Sequence, residues 1–342
     1  MTRCIALALK GAGSVAPNPM VGAVLVYQNR IIGEGCHQLF GSPHAEVNCF
    51  SSVAEEDLHC LNQSVLYVSL EPCAHFGKTP PCADLIILKG VSKVVVGCRD
   101  PFDCVNGKGI ERLKDAGIEV IEGVLEKECL DLNKRFFRFH LQKRPYIILK
   151  WAQTADGKIA ADTAVNAERL LISNEFTNTV VHRWRSEEAA ILVGTNTALL
   201  DDPALNNRLW KGKPPMRMVI DTGLRLPESL RLFTDEHPVV MYNYRKEATI
   251  GAVIFKKISN EKSVLVEILE DAYSRQLLSI LVEGGAKLLQ SFIDAGLWDE
   301  ARVITNTSLT IKEGLAAPVL KDYLFIKEEQ LLEDHIAYFY RL

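Results

Sequence analysis

The chain has 342 residues, of which 48% are hydrophobic and 24% charged, and its formal net charge is −4. This length predicts two domains, and the composition is typical of a globular protein. The acidic balance, without a dense stripe of lysine and arginine, argues against a duplex or transfer RNA substrate. No apolar run reaches the length of a membrane span, and the first ten residues are typical of a helix rather than a signal peptide.

The first half of the chain alternates predicted helices and strands. A helix over residues 4–10 precedes a hairpin of two strands, 21–27 and 31–35. Strands that are then joined through helices predict a mixed sheet covered on both faces. The later predicted elements are helix 44–53, strand 65–70, helix 84–89, strand 91–97, helix 109–116, strand 118–122 and a long helix over 125–141.

The pattern starts again near residues 142–145, and we predict domains over 1–143 and 144–342. Buried strands and amphipathic helices again alternate, which predicts a second α/β domain. Its predicted elements are strand 146–151, helix 174–188, strands 189–194, 216–221, 238–242 and 279–283, a helix ending at 295, strand 300–305 and a last strand over 336–342.

His44, Cys73 and Cys82 are the candidate ligands of a metal ion. One imidazole and two thiolates can hold zinc on three sides and leave the fourth position open, as catalytic zinc requires. Glu46 lies two residues after His44 and could move a proton without being a ligand. Zinc-dependent nucleobase deaminases use this constellation. The alternative interpretation is a buried histidine beside ordinary core cysteines.

The two candidate cysteine ligands are separated by eight residues, whereas the short deaminase signature separates them by two. Pro80 and Pro81 restrict the backbone of the returning loop. The chain has nine cysteines, an odd number, and we expect the seven outside the motif to be reduced. Reduced cysteines predict a cytoplasmic location.

Several segments around these residues resemble the deaminase half of the bifunctional riboflavin-biosynthesis deaminase/reductase family, in which the eight-residue separation is usual. The resemblance implies a cytidine-deaminase-like three-layer domain, with zinc held by His44, Cys73 and Cys82 and with Glu46 as the proton shuttle. The segments are 16–22 (APNPMVG), 33–37 (GEGCH), 41–46 (GSPHAE), 70–82 (LEPCAHFGKTPPC), 100–101 (DP), 106–109 (NGKG) and 132–136 (LNKRF).

The resemblance also implies that Asn18, His37, His75 and Lys78 bind the deaminase substrate, Asn18 at its pyrimidine ring. Each of these residues also has a simpler interpretation. Asn18 is flanked by prolines, and its role could simply be to form a turn. Histidine and lysine side chains on loops are often merely solvated.

Gly284 and Gly285 follow a predicted strand and precede a predicted helix. Their backbone could approach a phosphate, with the amides of the helix behind it, although a tight turn is an equal alternative. No G-x-G-x-x-G motif opens either domain, so the sequence gives no support for a Rossmann fold.

The second half resembles the reductase domain of the same family, which implies a dihydrofolate-reductase-like fold that uses NADPH. The matching segments are 150–160, 193–197, 201–205 with Arg208, and 281–285. By resemblance, the substrate is bound by Lys150, Arg185, Leu205, Arg208 and Glu283. By resemblance, NADPH lies beside Ala152, Thr197, Asp201, Thr222 and Gly285. The arginines could instead be solvated charges, and residues 201–203 an ordinary turn.

Two features depart from the reductase pattern. Arg169 and Leu171 stand where the family usually has a small polar residue and a tryptophan, and a glycine-containing turn expected around 163–166 is absent. A missing aromatic ring would remove one stacking surface near the cofactor. We therefore expect altered cofactor binding at this place.

The resemblance implies two steps of riboflavin biosynthesis. The first is zinc-dependent deamination of 2,5-diamino-6-hydroxy-4-(5-phosphoribosylamino)pyrimidine, and the second is NADPH-dependent reduction of 5-amino-6-(5-phosphoribosylamino)uracil. The partners are then small phosphoribosylated pyrimidines, and a homo-oligomer is compatible with the sequence. One alternative is a cytidine- or tRNA-type deaminase with an unrelated second domain, which the acidic balance and residues 150–158 oppose. The other is a zinc-stabilised binding protein without turnover, which Glu46 and the open coordination position oppose.

Overall fold

A computed structural model describes residues 1–74, 80–102, 106–161 and 170–342 of the chain. The Cα positions divide into two compact units, Met1–Lys143 and Arg144–Leu342. Within the described residues, no helix combines the length and the apolar character needed to cross a membrane.

The first unit is built on a five-stranded mixed sheet. Strand β1 pairs antiparallel with β2 and β3, whereas β3, β4 and β5 are parallel, in the order β2-β1-β3-β4-β5. The carboxyl ends of β3 and β4 therefore meet at one edge, where Leu70 pairs with Cys98. The strands are β1 (Gly22–Tyr27), β2 (Arg30–Cys36), β3 (Val65–Leu70), β4 (Lys93–Cys98) and β5 (Glu119–Ile121).

Helices cover both faces of this sheet, as the sequence predicted. Leu25 and Leu66 pack against one set of helices, α2, α3 and α4, and Val24 packs against α1 on the opposite face. Neighbouring residues of a strand point to opposite faces, so alternation along β1 separates the two layers. The helices are α1 (Thr2–Ala8), α2 (Ala45–Ser51), α3 (Cys82–Leu88), α4 (Lys108–Asp115), α5 (Glu126–Leu132) and α6 (Lys134–Gln142), with 3-10 turns at Leu9–Gly11 and Glu55–Gln63.

The prediction of one long helix over 125–141 is wrong, because the chain breaks at Asn133 into α5 and α6. The buried amide of Asn133 pairs with the backbone of Met20 in both directions. Its Oδ1 accepts from the Met20 N–H and its Nδ2 donates to the Met20 carbonyl, each at 2.8 Å. These two bonds satisfy backbone groups of the segment that carries Asn18.

The second unit contains a ten-stranded sheet, in the order β11-β12-β10-β9-β8-β13-β6-β14-β17-β16. Its interior pairs are parallel, and antiparallel strands lie at both ends. A small separate sheet joins β7 and β15. The strands are β6 (Tyr146–Thr154), β7 (Lys158–Ala161), β8 (Ala190–Gly194), β9 (Met216–Ile220), β10 (Val239–Asn243), β11 (Ala248–Ile250), β12 (Val253–Lys257), β13 (Ser279–Val282), β14 (Glu300–Asn306), β15 (Gly314–Ala316), β16 (Tyr323–Leu331) and β17 (Asp334–Arg341).

Helices cover both faces of the large sheet as well. Leu149 and Val282 belong to the core beneath α9 and α10, whereas Ile148 and Leu281 pack against α7 on the other face. The predicted second α/β domain is therefore confirmed. The helices are α7 (Glu175–Glu187), α8 (Thr195–Asp201), α9 (Val264–Ser274) and α10 (Ala286–Asp294), with a 3-10 turn at Arg231–Phe233.

Seven elements of this unit were not predicted from the sequence. For strand β16 the reason is that most of its side chains are exposed and that it lies at the outer edge of the sheet. An exposed edge strand lacks the alternation of buried and exposed residues on which strand prediction depends. The elements are β7, β11, β12, β15, β16, α8 and α9.

Candidate active sites

His44, Cys73 and Cys82 come together in the first unit, with their ligand atoms all within 4.8 Å of one another. His44 Nδ1 lies 3.7 Å from Cys73 Sγ and 3.3 Å from Cys82 Sγ. A tetrahedral zinc ion with ordinary bond lengths would hold a nitrogen and a sulfur roughly 3.6 Å apart. The donor types and their separations therefore fit Zn²⁺.

Three different elements supply these side chains. His44 is the residue at the amino end of α2, Cys82 is the first residue of α3, and Cys73 follows the end of β3. The first amides of α3 hold Cys73 in place, since the Cys82 N–H lies 3.3 Å from Cys73 Sγ and the Ala83 N–H donates to the Cys73 carbonyl at 3.1 Å. Amide donors at a helix start stabilise a thiolate.

The two thiols titrate differently because they hydrogen-bond to each other. The Cys82 thiol donates to Cys73 and lowers the pKa of Cys73 to about 4, assisted by His44 and opposed by burial. The pKa of Cys82 is raised, because it is the donor of this pair and is buried. The hydrogen bond with Cys73 also raises the pKa of His44. A thiolate at neutral pH makes this cluster attractive to a cation.

Glu46 lies in the first turn of α2 and is only 3% exposed. Burial, followed by the charge of Cys73, raises the pKa of Glu46 to about 7. A carboxyl group with a pKa near the working pH can both accept and release a proton. Its surroundings therefore suit the proton shuttle that the sequence predicted.

Asn18 and His37 lie beside the cysteine–histidine cluster. Asn18 Nδ2 is 3.2 Å from His37 Nε2, and His37 Nδ1 is 3.1 Å from the Pro43 carbonyl oxygen. The His37 ring meets the His44 ring edge-on, with 5.6 Å between centroids. Burial lowers the pKa of His37, which favours the uncharged form of its ring. The other two predicted substrate residues, His75 and Lys78, lie outside the described residues.

Glu71 is a residue to which the sequence analysis gave no role. Its carboxylate accepts four backbone N–H bonds at 2.9–3.3 Å, from residues 100, 107, 109 and 110. Gly109 approaches so closely that a side-chain carbon there would collide with the Pro72 carbonyl oxygen. These contacts fix the turn that leads to Cys73. The signal was present in the 70–82 and 106–109 segments, but their contact depends on the fold.

A cavity of about 860 Å³ lies in the second unit, at the carboxyl ends of β8, β9 and β13. Ligands of open α/β sheets bind at this edge. Thr222 is not part of the wall, although Ile220 is. The wall does include the other nine residues predicted for this half: Lys150, Ala152, Arg185, Thr197, Asp201, Leu205, Arg208, Glu283 and Gly285.

Glu283 and Arg185 form a buried, two-point ion pair in this cavity. Arg185 donates to both carboxylate oxygens at 2.7 Å and also to the Asn206 carbonyl at 2.9 Å. Lys150 Nζ lies 3.6 Å from the same carboxylate. Burial opposes the charge on Glu283, but Arg185 and Lys150 outweigh it and lower its pKa to about 2. Arg185 is therefore a fixed part of the wall rather than a solvated side chain.

Gly284 and Gly285 are joined by a cis peptide bond, and α10 begins directly after them. A side-chain carbon at Gly285 would lie 3.1 Å from Thr197 Oγ1, which is a tight contact that Thr197 could relieve only by shifting. The cavity wall continues through the start of α10 to Lys287. Helix amides beside a lysine suit the pyrophosphate of a dinucleotide. The residues present therefore fit NADPH.

Leu171 lies at the cavity wall and is 73% exposed. It offers no aromatic surface for a cofactor ring, so altered binding at this place stays a prediction. Arg169 and residues 163–166 lie outside the described residues.

His182 is a second residue to which the sequence analysis gave no role. It lies on α7, three residues before Arg185, and lines the same cavity. Positions three apart share one helix face, so Arg185 was the available signal. The side chain is 4% exposed, and Nδ1 has no hydrogen-bond partner among the described residues.

Two family models match this chain. Residues 1–98 match the cytidine and deoxycytidylate deaminase zinc-binding region, and residues 145–310 match the RibD C-terminal domain. Both predicted halves of the fold class are thereby confirmed.

Full-length relatives cover both units. The riboflavin biosynthesis protein RibD of Aquifex aeolicus is 38% identical, with 100% of this chain and 97% of the relative covered. RibD of Escherichia coli is 33% identical, with 88% and 84% covered. The crystal structure of a Thermotoga maritima diaminohydroxyphosphoribosylaminopyrimidine deaminase/5-amino-6-(5-phosphoribosylamino)uracil reductase is 37% identical, with a TM-score of 0.90 and 100% and 97% covered. That of Acinetobacter baumannii RibD is 32% identical, with a TM-score of 0.89 and the same coverage.

Proposed function

We infer the function of this chain from its family: the chain belongs to the riboflavin biosynthesis protein RibD family. It is a bifunctional enzyme of riboflavin biosynthesis, a deaminase and a reductase, that uses Zn²⁺ and NADPH. The alternative of an unrelated second domain is wrong, because residues 145–310 match the RibD C-terminal domain. The cytoplasmic location and the homo-oligomeric state stay predictions.

We propose that residues 1–143 deaminate 2,5-diamino-6-hydroxy-4-(5-phosphoribosylamino)pyrimidine and that residues 144–342 reduce 5-amino-6-(5-phosphoribosylamino)uracil. Both activities appear in the name of the Thermotoga maritima relative. The observation that carries the first assignment is the cluster of His44, Cys73 and Cys82 beside a buried Glu46 in one unit. The cation-lined cavity carries the second.

In the deaminase unit, His44, Cys73 and Cys82 would hold Zn²⁺, which supplies Lewis acidity toward water and substrate when bound. Glu46 accepts the proton of the attacking water and delivers it to the leaving amino group, which departs as ammonia. Its buried carboxyl suits this exchange because its pKa lies near neutrality. Asn18 orients the pyrimidine, and His37, His75 and Lys78 complete the substrate site.

In the reductase unit, Lys150, Arg185, Leu205, Arg208 and Glu283 surround the ribosyl phosphate substrate. NADPH supplies the hydride, and the protein supplies orientation and electrostatics. Two hydrogen bonds fix the side chains of Arg185 and Glu283 against each other, so both can orient the substrate without first losing conformational freedom. Ala152, Thr197, Asp201 and Gly285 lie beside the cofactor. The contact of Thr222 with NADPH stays a prediction, because Thr222 is not among the residues that line the cavity.

Chelation separates the two activities. Treatment with EDTA should abolish ammonia release from the first substrate and leave NADPH oxidation with the deaminated substrate nearly unchanged. Equal loss of both activities would contradict two independent sites.

The variant Glu46→Gln should retain zinc, measured by elemental analysis, and lose ammonia release. Full activity of this zinc-loaded variant would rule out Glu46 as the proton shuttle.

A further inference from the structure

His182 has a ring nitrogen whose hydrogen-bonding capacity the described residues leave unused. The side chain is 96% buried on α7, and no donor or acceptor in the described part of the chain reaches Nδ1. A buried polar atom without a partner costs free energy, and such atoms are rare in folded proteins. An enclosed nitrogen that carried hydrogen would be an unpaired donor, which is costlier than an unpaired lone pair. We therefore assign the hydrogen of the neutral ring to Nε2.

The surroundings of His182 keep its ring neutral. Burial, then the charges of Arg185 and Arg208, lower the pKa of His182 to about 4, and Lys150 acts in the same direction. Glu283 opposes them, but it is already paired with Arg185. These charges come from α7, from the loop after α8, from β6 and from the end of β13. The remaining charged residues of the cavity wall are Asp201, Arg231 and Lys287.

Three cations and one anion act on His182, which leaves a formal excess of two positive charges at this part of the wall. A phosphate monoester carries nearly two negative charges at neutral pH and has three acceptor oxygens. The excess charge would attract such a group. An uncharged imidazole N–H among these cations adds a hydrogen-bond donor. Because the ring carries no charge, the cations do not repel it when no ligand is bound.

We propose that His182 is a further substrate-binding residue of the reductase site and donates its Nε2–H, as a neutral imidazole, to the phosphate of the phosphoribosyl substrate. The inference rests on the proposed reductase function. A neutral donor makes a specific prediction, since its contribution does not change over the pH range in which an ordinary histidine titrates.

The test is calorimetric binding of ribose 5-phosphate to the full-length protein and its variants. His182→Leu keeps the bulk and removes the donor, and we expect binding to weaken about tenfold, the usual cost of a hydrogen bond to a charged group. His182→Gln places an amide N–H near the position of Nε2 and should restore binding to within about threefold. His237→Leu, at an exposed histidine of the same unit outside the cavity wall, is the matched control and should bind as the wild type does.

Two further readouts separate a substrate contact from a structural role. NADPH affinity should be the same in all four proteins, since His182 is assigned to the substrate. The ratio of the dissociation constants of His182→Leu and wild type should stay constant from pH 6 to pH 8.5. A ratio that falls toward one as the pH rises would show that a charged imidazole binds, and would overturn the neutral-donor proposal.

The outcomes also distinguish this inference from the proposed function. Ribose 5-phosphate binding by His182→Leu within twofold of the wild type would reject the role of His182 while the wild type still oxidised NADPH. A loss that His182→Gln does not restore would reject the hydrogen bond. A wild-type protein that bound neither NADPH nor ribose 5-phosphate would overturn both.

Discussion

The two units place charge in opposite ways. The first concentrates negative charge on a few atoms, the thiolate of Cys73 in the loop after β3 and the carboxyl of Glu46 in the first turn of α2. The second spreads positive charge over a wide wall, with Lys150 and Arg185 beside the Glu283 carboxylate and Arg208 at another place on the same wall. The first arrangement suits a cation held at fixed distances, and the second suits large phosphorylated anions. A single substitution at the site should therefore reduce ligand binding and activity far more in the first unit than in the second.

The largest expected effect is the loss of a metal ligand. Cys82→Ser removes one of the three proposed zinc ligands. We therefore expect zinc affinity to fall by more than about a hundredfold and ammonia release to be lost. NADPH oxidation with the deaminated substrate should stay within about twofold. Zinc content and the two activity assays measure these outcomes. Cys60→Ser, at a buried cysteine outside the cluster, is the control and should retain zinc. Retention of zinc by Cys82→Ser would contradict the assigned ligand set.

The next effect concerns the charged wall of the second unit. Glu283→Gln leaves the buried Arg185 without its anion, and we expect the free energy of unfolding to fall by about 3 kcal/mol. Trp151, Trp184, Trp210 and Trp298 all lie in this unit, so tryptophan fluorescence during urea unfolding reports on it alone. Glu270→Gln, in an exposed ion pair with Lys262, should cost far less, because solvent screens exposed charges. Equal losses for the two variants would contradict a buried pair.

The same pair predicts a pH dependence of stability. The folded-state pKa of Glu283 is about 2, below the value of about 4.3 for an unfolded glutamate. The folded state therefore gains stability above about pH 4.3, and that gain is lost as the pH falls toward 2. The difference in unfolding free energy between wild type and Glu283→Gln should shrink across this range. A constant difference would show that the carboxylate charge contributes nothing.

A smaller effect is expected at the support of the metal site. Glu71→Gln replaces one carboxylate oxygen with a donor that faces backbone N–H groups, so the turn leading to Cys73 should loosen. We expect zinc affinity to fall about tenfold, as is common when the supports of a ligand are changed. Competition with a chromogenic chelator measures this change. Glu119→Gln, at an exposed glutamate of β5, serves as the control. Unchanged affinity in Glu71→Gln would show that the turn is held by other contacts.

The smallest expected effect concerns the binding of NADPH by the second unit. Leu171→Trp restores an aromatic ring at the exposed cavity wall, and stacking should tighten NADPH binding by about two- to tenfold. The KM for NADPH measures the gain. Leu324→Trp, on the exposed edge strand β16, should leave it unchanged. No gain in Leu171→Trp would show that the cofactor does not pass over this residue.

The metal site could be predicted from the sequence because its parts are local. His44 and Glu46 share one helical turn, and Cys73 and Cys82 flank a single loop. The roles of Glu71 and His182 could not be predicted in this way. The role of Glu71 depends on hydrogen bonds from backbone amides about thirty to forty positions further along the chain. The proposed role of His182 depends on charged side chains that four different elements supply.

The secondary structure divides in the same way, into elements that local sequence determines and features that contacts with remote segments determine. Buried parallel strands such as β8 and β13 were predicted because their apolar runs are continuous. The break at Asn133 was missed, since it arises from hydrogen bonds to Met20 in a remote segment. Thr222 was placed near the cofactor by resemblance alone, and this contact stays a prediction, since Thr222 is not among the residues that line the cavity.

The double hydrogen bond between Asn133 and Met20 sets a minimum length for an excised deaminase. The zinc-binding family match ends at residue 98, so a gene fragment trimmed to that match would retain every proposed metal ligand but omit Asn133. The exposed peptide group of Met20 would then be left to solvent, next to the asparagine that is proposed to recognise the pyrimidine. A fragment ending at residue 143 keeps this bond, so dissecting the two activities by truncation is best done at that point.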